Sequence, residues 1–194
     1  MRRLLFALPF ALLPLAAAHA AHDEHEHHDE HASLAAHEHG AAQLNVALEG
    51  QRLELALESP AMNLVGFEHA AVSSTDKTAV AHAQQHLQTP LALFGIAAAA
   101  GCVINSHELH SPLFEAHAEE HEEHEEHDKE HGAEHSDIDA NYVLTCSQPQ
   151  ALAAIDLSEL FKLFPATDKI QVQLIGPNGQ QGAELSAAQP RLSF

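Results

Sequence analysis

Alternating apolar and polar positions are clearest in the first third of the chain, where they predict a β-hairpin. Residues 43–49 (QLNVALE) and 52–58 (RLELALE) each carry an apolar side chain at every second position, which is the period of a strand with one buried face. Gly50 and Gln51 supply the turn between them. The expected buried face consists of Leu44, Val46, Leu48, Leu53, Leu55 and Leu57.

The apolar pattern of the remaining chain predicts two helices and further strands. Val80, Ala83 and Leu87 recur at helical spacing among strong helix formers. They predict a helix over Thr75–Leu87 that starts at Ser74. The other predicted elements are a strand around Cys102–Asn105, a strand at Ala140–Cys146, a helix at Leu157–Phe164 and a hairpin of Ile170–Ile175 with Gln180–Leu185.

The order of these elements is ββαβ, then a His-rich insertion, then βαββ. It predicts an α+β fold with a mainly antiparallel sheet and packed helices, because hairpins dominate the order. The two orders mirror each other about the insertion, which suggests two pseudo-related halves. The insertion, residues 107–137, has almost nothing apolar to bury, so we expect a disordered His-rich loop.

The first 20 residues have the three regions of a secretory signal peptide. Two arginines precede the apolar stretch Leu4–Ala17, and the triplet at 18–20 (AHA) offers a cleavage site. The stretch is shorter than the roughly 20 residues that span a bilayer, so membrane insertion is not expected. The predicted organisation is a signal peptide at 1–20, a His-rich amino-terminal tract at 21–36 and one domain at 37–194 that contains the insertion.

Charge narrows the range of partners. The formal net charge is −20 at pH 7, which makes nucleic acid an implausible partner. Such a field attracts cations, although the same charge also keeps an exported domain soluble. The 19 histidines, most of which fall in two tracts, favour the first interpretation.

The insertion has the composition of a metal-binding segment. Neutral imidazole with carboxylate suits Zn(II), with Cu(II) and Ni(II) as competitors. The alternative is a solvated polyelectrolyte that binds metal only incidentally. The candidate ligands are spaced three or four residues apart and are His117, His121, His124, His127, His131 and His135.

The pattern HxxEH, which can mark a zinc peptidase helix, occurs three times in the insertion. It recurs because the segment contains little besides His and Glu, so it has almost no specificity. A catalytic zinc needs fixed ligands and a packed surrounding shell, which a low-complexity loop does not supply. We therefore expect that the protein is not an enzyme.

A second set of candidate ligands lies where the ordered sequence begins. His37 and His39 would point the same way in an extended segment just before the first hairpin. Glu68 and His69 supply a carboxylate and an imidazole at a turn, so the four residues could form one N/O site. Four unrelated surface residues are the alternative interpretation. Weaker candidates are His107 and His110 at the root of the insertion, and the helical pair His82 and His86.

Cys102 and Cys146 lie in short β-like runs on opposite sides of the insertion. In an oxidising compartment this pair predicts one disulfide. Two zinc thiolates are a less favoured alternative, because a single widely spaced pair lacks the CxxC pattern of thiolate sites.

Four sequence blocks resemble the zinc-regulated periplasmic protein A family, ZrgA. They are HEHGAAQLNVALEGQRLELALESPAMNLVGFEHA, the cysteine pair around the His-rich insertion, ANYVLTCSQPQAL, and LFKLFPATDKIQVQLIGPNGQQGAEL. The resemblance implies a periplasmic zinc-binding protein that assists zinc uptake, with ABC zinc transporter components as partners. His37, His39, Glu68 and His69 fall in the family's recognisable blocks.

The leading hypothesis is therefore that the chain captures Zn(II) in the periplasm and assists its uptake. Many weak ligands at high local concentration give fast capture and easy release, which suits delivery. The alternative is a periplasmic buffer that sequesters excess zinc, copper or nickel. The sequence leaves the choice between them open.

Overall fold

In a computed structural model of the protein, which describes residues 38–115 and 136–194, the predicted hairpin is confirmed. It consists of β1 (Ala41–Glu49) and β2 (Arg52–Pro60), which pair antiparallel with Leu44 opposite Leu57 and Leu48 opposite Leu53. The predicted signal peptide, the tract at 21–36, His37 and the six histidines of the insertion between 117 and 135 lie outside the described residues.

The remaining elements agree with the predicted order, with several short additions. The second predicted helix and hairpin are present within one or two residues of their predicted bounds. The elements are α1 (Ala61–Val65), α2 (Ser74–Leu87), α3 (Pro90–Leu93), β3 (Cys102–His110), α4 (Pro112–Glu115), β4 (Asp137–Cys146), β5 (Ala154–Asp156), α5 (Ser158–Leu163), β6 (Lys169–Gly176), β7 (Gly179–Ser186) and β8 (Arg191–Ser193).

Six of the described strands form one sheet in the order β3-β4-β2-β1-β6-β7. Its pairs are antiparallel except for β1 and β6, which run parallel in the middle. The fold is therefore α+β with a mixed, mostly antiparallel sheet, as the sequence predicts in outline. The relation between two halves stays a hypothesis. The predicted disordered loop, residues 107–137, is shorter at both ends in the structure, because β3 continues to His110, α4 follows it and β4 begins at Asp137. Residues 116–135 of the predicted loop lie outside the described part.

Helices cover one face of the sheet. Leu44, Leu55 and Tyr142 alternate towards that face from three neighbouring strands and are at most 1% exposed. Tyr142 donates a hydrogen bond to the carbonyl oxygen of Leu87 at the end of α2 (2.7 Å) and packs edge-on against Phe94, just after α3. These contacts anchor α2 and α3 to the sheet.

In the described part of the chain, the opposite face of the sheet presents polar side chains together with apolar ones such as Ile175. Gln43, Asn45, Asn141 and Gln173 are exposed and line a cavity of about 680 Å³. Among the described residues that line this cavity there is no histidine.

Cys102 and Cys146 form a disulfide between β3 and β4, which confirms the predicted pair. The two cysteines face each other at the end of the strand pair that lies away from the insertion. None of the helices in the described ranges has both the length and the apolar character that a membrane crossing requires.

Tyr142 gives a direct test of this packing, because it is the single tyrosine of a chain without tryptophan. Burial raises its pKa above the ordinary value. Since the phenol of an unfolded chain ionises at about pH 10, the folded state loses stability as pH rises above that value. We expect phenolate absorbance to appear together with the loss of far-UV circular dichroism in an alkaline titration.

A sample unfolded in urea supplies the reference titration of the exposed phenol. Phenolate absorbance that rises at about pH 10 while the dichroism of the fold persists would contradict the buried position of Tyr142.

Candidate metal-binding site

His39 and Glu68 are in direct contact. The Nε2 atom of His39 lies 3.0 Å from Oε1 of Glu68, although the two residues are 29 positions apart in the chain. The His39 side chain is 51% exposed and that of Glu68 is 11% exposed, so the pair lies at the surface with its carboxylate partly sheltered. An imidazole nitrogen and a carboxylate oxygen are both zinc ligands. An ion that replaces the proton between these two atoms would gain two ligands at once.

A tight turn places His39 at the start of β1. Gly40 has φ = +84°, a backbone conformation that glycine adopts readily, and a Cβ atom there would collide with the Asp168 carboxylate. Its amide nitrogen donates to Oδ1 of Asn63 (2.7 Å), and its carbonyl oxygen accepts from the amides of Asp168 and Lys169. The residue after His39 is therefore fixed from two sides.

Glu68 follows α1 by a short connection. That helix ends at Gly66, which adopts the left-handed conformation and donates its amide to the carbonyl of Met62. The carbonyl oxygen of Glu68 then accepts a hydrogen bond from Oγ of Ser136 (2.9 Å). Ser136 is the first described residue after positions 116–135, and its own carbonyl oxygen accepts from the amide of Ala61 (2.8 Å).

Glu38 contributes a second carboxylate to this region but already has a cationic partner. Nζ of Lys169 lies 3.0 Å from Oε1 of Glu38. The hydrogen bond and charge of Glu38 raise the pKa of Lys169. Glu38 therefore compensates the positive charge of Lys169. As a result, His39, next to Glu38 in the chain, does not face an unpaired ammonium from this lysine.

His69 is oriented by contacts of its own. Its Nδ1 atom lies 2.9 Å from the carbonyl oxygen of Ala70, and its ring stacks on Phe67 with centroids 4.7 Å apart. A proton on Nδ1 satisfies that carbonyl and leaves the lone pair on Nε2, the tautomer that suits a metal ligand. His69 also helps to lower the pKa of Asp76, although hydrogen bonds from Ser73 are the main cause.

His107 and His110 are exposed, and the structure places them on opposite faces of the sheet. His107 is opposite Tyr142, whose side chain enters the core, whereas His110 is opposite Asp139 on the other face. The reason is that β3 extends to His110, five residues beyond its predicted end, and residues three apart in a strand point in opposite directions. The two therefore do not form one chelating pair.

The two candidate histidines on a helix are not part of the contact between His39 and Glu68. His82 and His86 lie on α2, and the ring of His86 packs edge-on against Phe164. No group of three or more His, Cys, Asp or Glu side chains suited to one metal ion occurs in residues 38–115 and 136–194. Of the four residues predicted to form the ordered site, the described structure brings His39 and Glu68 into contact.

Two polar residues next to this pair carry no metal-binding signal in the sequence. Asn63 lies within the apolar block AMNLV, and Ser136 ends the low-complexity segment, so neither stands out by spacing or composition. Their positions against Gly40 and Glu68 arise only from the folded chain.

Comparison with known proteins gives one match. A family described as ZrgA family zinc uptake protein matches residues 36–194, which include every described residue. No curated protein matches the chain.

Proposed function

Because the chain belongs to the ZrgA family of zinc uptake proteins, we propose that it captures Zn(II) in the periplasm and presents it for import, with ABC transporter components as partners. In this proposal the His-rich tracts collect zinc, and His39 with Glu68 belongs to the site that holds it. His37 and His69 are the further ligands proposed for that site. The zinc ion is cargo rather than a resident cofactor.

One observation carries the proposal. The His39–Glu68 contact lies where both His-rich tracts join the described fold. The amino-terminal tract leads directly into Glu38 and His39, and the insertion returns at Ser136, which is hydrogen bonded to Glu68.

The chemistry of the two parts supports a division of labour. Many imidazoles and carboxylates on one tether act as weak ligands at high local concentration, which favours rapid exchange. A partly sheltered His–Glu pair on a fixed turn loses less conformational freedom when it binds an ion, which favours tighter binding. Transfer from tract to pair then follows the gradient of affinity.

The covalent structure supports the proposed compartment. Disulfides persist in oxidising environments such as the bacterial periplasm and are rare in the cytosol. The Cys102–Cys146 bond therefore favours an exported protein, in line with the predicted signal peptide.

We propose no catalytic role for the zinc. A catalytic zinc typically has three protein ligands and one open position in a packed pocket. The proposed site instead holds the ion near the surface, where a partner can accept it.

Zinc accumulation by cells tests the proposed function. Cells that lack the protein should accumulate less zinc in chelator-treated medium, and wild-type protein should restore uptake. A variant with His39→Ala and Glu68→Gln, termed the pair variant, should restore it poorly. Normal uptake in the deletion strain, together with sensitivity to excess zinc, would refute the proposal and favour a buffer instead.

A further inference from the structure

We infer that Asn63 and Ser136 are positioning residues that hold His39 and Glu68 in the geometry that accepts zinc. This inference rests on the proposed function, because it assigns a role to residues around the same pair. Neither residue is inferred to contact the zinc ion. Each fixes the backbone of a segment that carries a ligand.

Asn63 uses its whole carboxamide to fix the turn after His39. It is 2% exposed. Its Oδ1 accepts from the Gly40 amide (2.7 Å), and its Nδ2 donates to the carbonyl of Ala41 (2.9 Å) and to Oγ of Ser59 (3.1 Å). One acceptor and two donors thus bind three partners, so the side chain has a single satisfied orientation.

Ser136 fixes the other half of the pair. It is 6% exposed and bridges two segments, because its carbonyl accepts from the Ala61 amide while its hydroxyl donates to the Glu68 carbonyl. The hydroxyl therefore sets the position of the Glu68 backbone relative to α1. The same residue lies near the end of the insertion, so one side chain ties that end to the backbone of the residue that carries the ligand carboxylate.

The distribution of buried polar groups supports this assignment. Burying a polar group is unfavourable unless it is hydrogen bonded. Five polar residues are buried in the described part of the chain, and Ser59, Asn63 and Ser136 are three of them. Their hydrogen bonds fix the backbone next to His39 and the backbone of Glu68. Residues outside the ligand set that orient the ligands typically change metal affinity by about 10- to 100-fold when they are removed.

The test is a competition titration of Zn(II) with a chromophoric chelator on the mature protein and its variants. We expect Asn63→Ala to weaken the tightest site by about 10- to 100-fold. Ser136→Ala removes one side-chain hydrogen bond and keeps the backbone bond to Ala61, so we expect a loss of about two- to tenfold. This milder variant keeps the test valid if Asn63→Ala does not fold.

Two controls separate positioning from a general loss of stability. Tyr142→Phe removes a buried hydrogen bond to the last residue of α2 and should leave zinc affinity unchanged at temperatures where the protein is folded. In the background of the pair variant, Asn63→Ala and Ser136→Ala should cause no further loss of affinity. A positioning residue acts through the ligands, so its effect disappears when they are gone.

The outcomes distinguish this inference from the proposed function. If the pair variant binds zinc more weakly but Asn63→Ala and Ser136→Ala bind normally, the positioning inference is wrong and the proposed site stands. If the pair variant itself binds normally, both are wrong. If Asn63→Ala weakens binding equally with and without the pair, its role is structural and the inference fails.

Discussion

The pair variant, His39→Ala with Glu68→Gln, is expected to lose the tightest zinc site while it keeps most of its zinc capacity. We expect the affinity of that site to fall by at least about 100-fold, because removal of direct ligands should exceed the effect of removing their supporting residues. The measurement is a zinc titration of residues 21–194 against chelators of graded affinity. Weak binding to the tracts should remain.

The physical reason is the geometry of the pair. The two donor atoms lie 3.0 Å apart in the folded chain, so an ion meets both with little rearrangement. The low exposure of Glu68, 11%, also weakens competition by water for its carboxylate. The tracts have more candidate ligands, but their composition predicts segments that become ordered only when they bind, so we expect weaker binding per ion.

A matched control is His82→Ala with Glu49→Gln. It removes one imidazole and one carboxylate charge from exposed positions on α2 and β1, so the change in overall charge equals that of the pair variant. Zinc affinity should be unchanged in this control. A chain that lacks residues 116–135 should show the reverse pattern of the pair variant, with capacity lost and the tight site kept.

Two results would contradict the assignment. Equal affinity in the pair variant and the wild type would remove His39 and Glu68 from the site. Loss of all tight binding on deletion of residues 116–135 would place the tight site in the insertion and make the folded domain a platform. Parallel titrations with Cu(II) and Ni(II) measure selectivity, since both ions compete well for imidazole.

The strands that sequence could predict are those with one buried face. The first hairpin alternates cleanly because Leu44 and Leu55 enter the core while their neighbours meet solvent. The extension of β3 to His110 carries no such pattern, since the edge strand is exposed on most of its length. The parallel pairing of β1 with β6 leaves no local signal either, because it joins residues more than 120 positions apart, such as Ala41 and Lys169.

The start of α2 differs from the prediction by one residue. The sequence predicts a helix over Thr75–Leu87 that starts at Ser74, and in the structure Ser74 is already the first helical residue. The capping side chain, however, is that of Ser73, which accepts from the Asp76 amide while Asp76 accepts from the Ser73 amide. The spacing of a capping box, an acceptor side chain three residues after the serine, fits Ser73 with Asp76 and not Ser74 with Lys77, so this signal was present in the sequence.

In the candidate site, the sequence predicts some of the residues but not the contacts between them. His39 and Glu68 could be singled out because ligand-type residues stand at the ends of predicted elements. Their contact could not be predicted, because it depends on how α1 and its following turn return to the start of β1. The role of Asn63 and Ser136 could not be predicted for the same reason. An isolated asparagine or serine has no signal in the sequence, because its role depends on the hydrogen bonds that it makes in the folded chain.

Removal of the Cys102–Cys146 disulfide is expected to lower the free energy of unfolding by about 4 kcal/mol. The bond closes a separation of 44 residues, and the chain-entropy relation gives this value for a loop of that length. For a domain of this size, 1 kcal/mol corresponds to about 2–4 °C, so Tm should fall by about 10 °C. Thermal unfolding of Cys102→Ala with Cys146→Ala measures the change, and reduction of the wild type gives an independent value.

Zinc binding should survive this loss of stability. The disulfide lies at the end of β4, and Ser136 precedes the start of that strand, so about nine residues, or roughly 30 Å, separate the bond from the candidate site. The hydrogen bonds that fix the Gly40 turn and the Glu68 backbone involve neither cysteine. The double alanine variant should therefore bind zinc with wild-type affinity below its own Tm.

The affinity must be measured on the alanine variant rather than on reduced protein, because free thiolates are themselves zinc ligands. A large fall in affinity with intact dichroism would mean that the site depends on the register of β3 and β4 at their far end. An unchanged Tm would mean that the pairing of these strands closes the insertion without help from the bond. The expected result is lower stability with the same affinity. It would show that the disulfide holds β3 and β4 together, whereas zinc is captured at the opposite end of these strands.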